Sequence, residues 1–339
     1  MGLPIFSLPQ LVLQEIVWNM LPSELVCLSF CSRKSHTIVR AFRNKKIKWE
    51  YLMVPGVSGR ISLWFDNGKV KSTMIGALDI SKAPEDSQRI IIRGHSVPCS
   101  WHWFYNLVTY WDDENYGMKV VAEYCSQLLD NMDVHTLLPD AKSMLWAMKW
   151  VMSRQVAPLE NIQLCGFTRE IRGEDFDELL RICNATKDLI VCGYPPIGFS
   201  FSGRLPPCEH ISFQSSLWLS IENLLTLDSV VAHFDQSRLL SPQINQFLMA
   251  WLDGQCAPRL KYCQIQLPGI AVVNEVLGGA RGRAQRMRGD RQFFWSKQDS
   301  ITLQSGFHIR RNDGVIATIS PTWEYVFFCV WPDYCGNSF

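Results

Sequence analysis

No stretch of this sequence approaches the ~20 consecutive apolar residues that a bilayer-spanning helix needs, so a membrane reading has no segment to rest on. A surplus of one charge is missing too: 33 basic side chains stand against 32 acidic ones, for a net charge of +1. That balance argues against a general affinity for nucleic acid or anionic lipid. There is no Walker loop, since Gly278-Gly279-Ala280-Arg281-Gly282 has neither the lysine nor the strand–loop–helix setting. There is no G-x-S-x-G elbow. The histidines at 36, 95, 102, 135, 210, 233 and 308 show no His-Glu-x-x-His or other ligand spacing. No cysteine pair has the C-x-x-C spacing of a structural zinc site, and Cys27/Cys31, Cys256/Cys263 and Cys329/Cys335 lack matching histidines. Cys208 and His210 come nearest to a nucleophile and base, without a third group beside them. These absences set the expectation: no enzyme, no cofactor and no metal.

Apolar material is plentiful. Hydrophobic residues make up 47% and charged ones 19%, which supports a sizeable folded core and argues against disorder. The 339 residues suffice for two domains or one extended one. Most of the twelve cysteines sit inside apolar runs, as small buried hydrophobes do. The N-terminus offers Gln10, Gln14 and Glu15 where a secretory leader would be purely apolar. A reducing compartment, cytoplasm or nucleus, is therefore expected, and the Asn184-Ala185-Thr186 sequon carries little weight. The cluster Trp101-His102-Trp103-Phe104-Tyr105 reads either as core or as an aromatic contact surface. Asp112-Asp113-Glu114 reads as a solvated loop, with divalent-metal binding the lesser alternative.

Periodicity divides the chain. Residues 4–43 predict three short helices: Ser7 as cap with Pro9 in the first turn, then a restart at Pro22-Ser23-Glu24, then Ile38, Val39 and Phe42. Ile61–Phe65 and Lys69–Lys71 around Asn67-Gly68 predict a hairpin, Arg89–Arg93 a strand, and 117–130 a helix. Short strands then recur at Ile162–Leu164, Leu189–Val191, Ile211–Phe213, Val230–Ala232 and Tyr262–Ile265, at intervals of 27, 22, 19 and 32 residues. Helical patterns lie between some of them, at 175–182 and 243–252. Such units suggest an irregular leucine-rich-repeat-like solenoid, and an ordinary α/β layer domain is the competing reading. Gly306–Arg311 and Val315–Ile319 predict a C-terminal β-hairpin around Asn312-Asp313-Gly314, and Thr322–Trp331 a final strand. The fold class is thus α/β (α+β). Arg281, Arg283, Arg286, Arg288 and Arg291 form the one concentrated basic patch, read as a solvated loop, or as a dock for an acidic substrate segment, with RNA phosphate the lesser alternative.

Three helices in some forty residues fall at the size where a core alone usually fails. They must dock on the rest of the chain or give an apolar face to another protein. Leu8-Pro9, Val12-Leu13, Ile16, Leu21, Leu25 and then Leu28-Ser29-Phe30-Cys31-Ser32-Arg33-Lys34 resemble an F-box in order and spacing. The set departs at Leu11, where many members carry an acidic residue, and in lacking a third-helix tryptophan. Gln243–Leu252, Pro258–Tyr262 and Ile309–Ile319 look like the type 2 F-box-associated domain of a nematode-expanded family. The resemblance implies an F-box at 4–48, a linking α+β segment at 49–132 and a substrate-recruiting domain at 133–335. It further implies a cullin–RING ligase adaptor that binds a Skp-type partner, and through it cullin, by Leu8, Pro9, Val12, Leu13, Ile16, Leu25 and Leu28. Its other partner would be a protein substrate, with no nucleic acid or membrane involved. A ligase-independent interaction protein, or a hydrolase built around His210 or His233, are the alternatives.

Overall fold

The structure, a computed structural model, describes residues 7–44, 50–54, 61–66, 71–102, 106–130, 132–164 and 170–338, with the backbone alone at 61–66, 71–72, 102 and 106. It is a mixed α/β fold, divided into two compact units, Met1–Leu159 and Glu160–Phe339.

The first unit opens with α1 (Gln10–Trp18), α2 (Pro22–Cys31) and α3 (Arg33–Phe42). The expected Ser7 cap is corrected: Pro9 is the N-cap, with ψ 148 and no side-chain cap. Its carbonyl accepts from the Val12 and Leu13 amides, and the helix does not begin at Leu8 because the residue before a proline is pushed to extended backbone. α2 starts with Pro22 at its tolerated first position, and the Glu24 carboxylate accepts from the Leu21 N–H at 2.7 Å. Ser32 caps α3 by accepting from the Ser35 amide at 3.0 Å.

Behind the helices come β1 (Glu50–Val54), β2 (Ile61–Asp66), β3 (Lys71–Asp79), β4 (Gln88–Ile92), β5 (His95–His102), β6 (Asn106–Trp111), α4 (Glu114–Leu129), β7 (Val134–Leu137) and α5 (Met144–Arg154). The sheet order is β7-β1-β2-β3-β6-β5-β4. The β1–β7 and β3–β6 pairs are parallel and the others antiparallel. The predicted hairpin appears as β2–β3, with Asp66 opposite Lys71; its Asn67-Gly68 turn lies outside the described residues. Within the aromatic cluster, Trp101 is exposed and 103–105 fall outside the described residues. The acidic triplet is not simply a solvated loop: Asp113 caps α4, accepting from the Asn115 and Tyr116 amides, and Glu114 opens its first turn. There two negative charges meet the positive end of the helix.

In the second unit, β8 (Asn161–Leu164), α6 (Gly173–Ile182), β9 (Asp188–Val191), β10 (His210–Phe213), α7 (Ile221–Leu225), β11 (Val231–Phe234), α8 (Ser241–Leu252) and β12 (Tyr262–Gln266) follow one another. The five strands are all parallel and pair in chain order, β8 with β9, β9 with β10, β10 with β11 and β11 with β12. Their alternation sends Ile162, Leu164, Leu189, Val191, Ile211 and Phe213 into the core. Helices cover that face: Phe176 of α6 lies edge-on to Phe213.

After α9 (Val273–Leu277) and a 3₁₀ turn (Gly278–Arg283) come β13 (Gln285–Arg286), β14 (Arg291–Phe294), β15 (Ser300–Leu303), β16 (Phe307–Arg310), β17 (Ile316–Pro321) and β18 (Tyr325–Val330). β18 joins β12 antiparallel, and the order continues through β17 and β16 to β13 at the edge. The C-terminal hairpin is β16–β17, with Gly314 at φ +93 in its loop. The final strand is shorter than Thr322–Trp331, because 322–324 form the turn from β17. A solvated loop at 281–291 is also corrected. The segment is the 3₁₀ turn and two strands, tied down by buried Met287 and Phe293.

Candidate functional site

The three N-terminal helices use their apolar residues in two directions. On α1, Leu13 and Val17 share one face four residues apart and are buried, as are Leu25, Val26 and Ser29 on α2 and Ser35 and Val39 on α3. α2 and α3 then dock on α4, with Tyr124 at the contact. The Tyr124 hydroxyl is 2.7 Å from the Ser29 hydroxyl. Its ring stacks on Phe30 at 4.7 Å and meets His36 at 5.8 Å. At the C-terminus of α3, the Arg43 guanidinium, 10% exposed, pairs with Asp130 at 2.8 Å. Burial pushes the Tyr124 hydroxyl up to about 12 and holds the His36 imidazole below its ordinary value.

What stays outside is one face of α1. Leu11 is 76% and Val12 43% exposed, with Pro9 exposed beside them. Leu8, Ile16 and Leu28 are half-buried, while Leu13 and Leu25 lie in the interior of the bundle. Leu11, set aside in the sequence as a departure, is the most exposed of these apolar side chains. Nothing local in the sequence ties Tyr124 to a helix 95 positions earlier.

The second unit offers a polar face. Opposite the buried residues of β8–β12 stand half-buried Gln163, Asp188, His210, Ser212, His233 and Gln264. His210 and His233 meet edge to face at 5.3 Å, and His233 contacts Tyr262, which stacks on Trp295 at 4.2 Å. His210 Nδ1 is 3.4 Å from Asp188. Burial, and next the neighbouring His210, lower the His233 pKa to about 4, against weaker opposing pulls from Asp299 and Gln264. An unfolded histidine binds its proton near 6.5, so between these values the unfolded chain holds more protons. Stability from neutral His233 is therefore complete above pH ~6.5 and is lost as pH falls toward 4, by about 2 kcal/mol for a partly wetted group. Urea unfolding at pH 7.5 and 5.0 should show His233→Gln losing less stability across that interval than wild type; equal losses would remove His233 from the account.

Cys208 and His210 do not form a nucleophile and base. The Cys208 thiol is directed at the Pro206 and His210 carbonyl oxygens, and burial pushes it up to about 11. Among the described residues no group of three or more His, Cys, Asp or Glu side chains could hold a metal ion. No helix among them is long and apolar enough to cross a membrane. Arg281, Arg283, Arg286 and Arg288 are all exposed, on the 3₁₀ turn, on β13 and just past it.

Comparison with known proteins follows the same lines. The model of the F-box associated family matches residues 206–265, a span from just before β10 to the end of β12 that takes in Gln243–Leu252 and Pro258–Tyr262; the hairpin carrying 309–319 lies beyond it. The chain is 22% identical to the Skn-1 dependent zygotic transcript 15 protein of Caenorhabditis elegans over 339 residues, covering 94% of each chain. No solved structure matches significantly. The resemblance to the nematode-expanded F-box family with its F-box-associated domain is thus supported from both the family match and a nematode relative.

Proposed function

We propose, proceeding from that family match, that the chain is a substrate-recognition adaptor of a Skp–cullin–F-box ubiquitin ligase, working in the cytoplasm or nucleus. The observation that carries the reading is the division of labour in the N-terminal helices. α2 and α3 are held by α4, which leaves the Pro9, Leu11 and Val12 face of α1 in solvent. An exposed apolar face on a small, anchored helix bundle is a surface that a partner helix completes. The second unit would hold the target. Parallel strands in unreversed order, with α6 stacked on the buried face, support a leucine-rich-like arrangement there, since a doubly wound sheet reverses its order at a switch point. Catalysis needs no residue of this chain: the adaptor raises the effective concentration of the target near the charged ubiquitin carrier.

The test is co-purification with a Skp-type adaptor. Leu11→Asp/Val12→Asp changes exposed side chains of α1 and leaves its Pro9 cap in place, so the unfolding midpoint should hold while capture falls by a factor of about 30 or more, as for loss of an interface anchor. Wild-type chain that fails to bind the adaptor would hand the function to a ligase-independent interaction module.

A further inference from the structure

The segment from Arg281 to Arg291 holds five arginines and one aspartate, a local charge of +4 in a chain whose total is +1, so the remainder sums to −3. Elsewhere in this unit arginines find carboxylates: Arg172 with Asp175, Arg181 with Asp177, Arg259 with Asp228, Arg311 with Asp313. Among the described residues no carboxylate pairs with Arg281, Arg283, Arg286 or Arg288, and Arg283 reaches only the Asn312 side-chain oxygen at 3.4 Å. The backbone beneath them is fixed. β13 pairs antiparallel with β16, and the Met287 amide donates to the Gly306 carbonyl at 2.8 Å. Met287 is buried, while Arg286 before it and Arg288 after it are both exposed. β13 is also the last strand of its sheet, and among the described residues none pairs with its outer edge. Beside it lies a groove of about 250 Å³ lined by Val273, Arg286, Ser305, Gly306, Phe307 and Pro321. Its floor stays low at Gly306, where a Cβ would stand 2.9 Å from the Ile319 carbonyl oxygen.

We propose that this edge docks an extended acidic segment of a protein partner, with one apolar side chain in the groove over Phe307 and flanking Asp or Glu carboxylates on the arginines. The inference rests on the substrate-recruiting reading of this unit and names the class of segment recruited. An extended chain suits an open strand edge. The charges are strung out from Arg281 to Arg288, which matches a run of carboxylates. RNA is the disfavoured ligand, because the patch lacks interleaved aromatic side chains for base stacking.

Fluorescence anisotropy of the full chain with a labelled peptide, one leucine flanked by Asp and Glu residues, tests it without any adaptor present. A failure here therefore leaves the ligase reading standing, and a failed adaptor co-purification leaves this one standing. Wild type should bind, with affinity falling as ionic strength rises from roughly 0.05 to 0.3 M. Arg286→Glu/Arg288→Glu should bind roughly tenfold or more weakly at an unchanged unfolding midpoint. Arg238→Glu, exposed elsewhere in the unit, should bind as wild type does, and a leucine-to-serine peptide should bind less well. No binding of the acidic peptide, an equal loss with Arg238→Glu, or tighter binding of an oligouridylate RNA would each overturn the proposal.

Discussion

Trp251→Ala should cost the second unit about 3–5 kcal/mol, the range for deleting a fully buried large aromatic side chain. Trp251 has no exposed surface. It stands near the C-terminal end of α8, in line with Ile244, Phe247 and Leu248, which bury the same helix face. Its ring meets Phe328 of β18 edge-on at 4.9 Å, and the Arg311 guanidinium lies 5.0 Å from its centroid. Arg311 is held by Asp313 through two bonds of 2.9 and 2.8 Å, so the cation cannot easily follow a shrinking side chain inward. The site would be left as a cavity. Trp251→Phe should cost much less, because the indole Nε1 is buried without a partner and its loss removes an unpaid desolvation penalty along with the ring edge. Urea titration followed by far-ultraviolet circular dichroism separates the two variants; an alanine cost below ~1 kcal/mol would show that the core closes over the gap.

The same helix was among the plainest features of the sequence, and the reasons are local. Residues 243–252 carry an uninterrupted helical period, and β8, β9 and β10 alternate strictly over one buried face, whereas β11 and β12 also bury Val231 and Tyr262 on the other. The β16–β17 hairpin has a glycine where positive φ is required, at Gly314. By contrast β14–β15 escaped notice, since Phe293 alone of its aromatic residues is fully buried and the pair covers Tyr262 rather than a neighbour in sequence. The arginines from 281 to 288 read as a loop because charge is the loudest local signal there, while the anchor, Met287, is a single residue. The α1 start was misplaced by one cap for a similar reason: a serine is a good N-cap in general, but the proline two positions on sets where the backbone can turn helical. Of the candidate partner surface, the apolar residues were legible and their division was not. Which of Leu8, Val12, Leu13, Ile16, Leu25 and Leu28 face inward is set by packing between elements, as at Tyr124 and Arg43, whose partners are distant in sequence.

The anchor of those helices depends in turn on Gly117, and Gly117→Val should destabilise the first unit by about 3 kcal/mol, the upper end for overpacking a filled core. A Cβ at Gly117 would fall 2.3 Å from Cγ of Trp111, far inside contact distance. The indole cannot step aside. Trp111 is 5% exposed, its Nε1 donates to the Thr109 hydroxyl at 2.8 Å, and that hydroxyl donates to the Gly76 carbonyl at 2.8 Å. Nor can the helix start later, because Asp113 caps it at Asn115 and Tyr116. α4 must therefore lift, and Tyr124 lies two turns further along it. Its hydroxyl contact with Ser29 and its stack on Phe30 would be strained by the same movement. Gly117→Ala should cost less, about 2 kcal/mol, since alanine recovers roughly 1 kcal/mol of helix propensity relative to glycine. Hydrogen exchange should report the route of the damage, with protection lost at Val26–Ser29 and Val39 as well as along α4. A valine variant with wild-type stability and wild-type protection on α2 would mean that α4 is not pressed against Trp111, and that the N-terminal helices take their support from elsewhere.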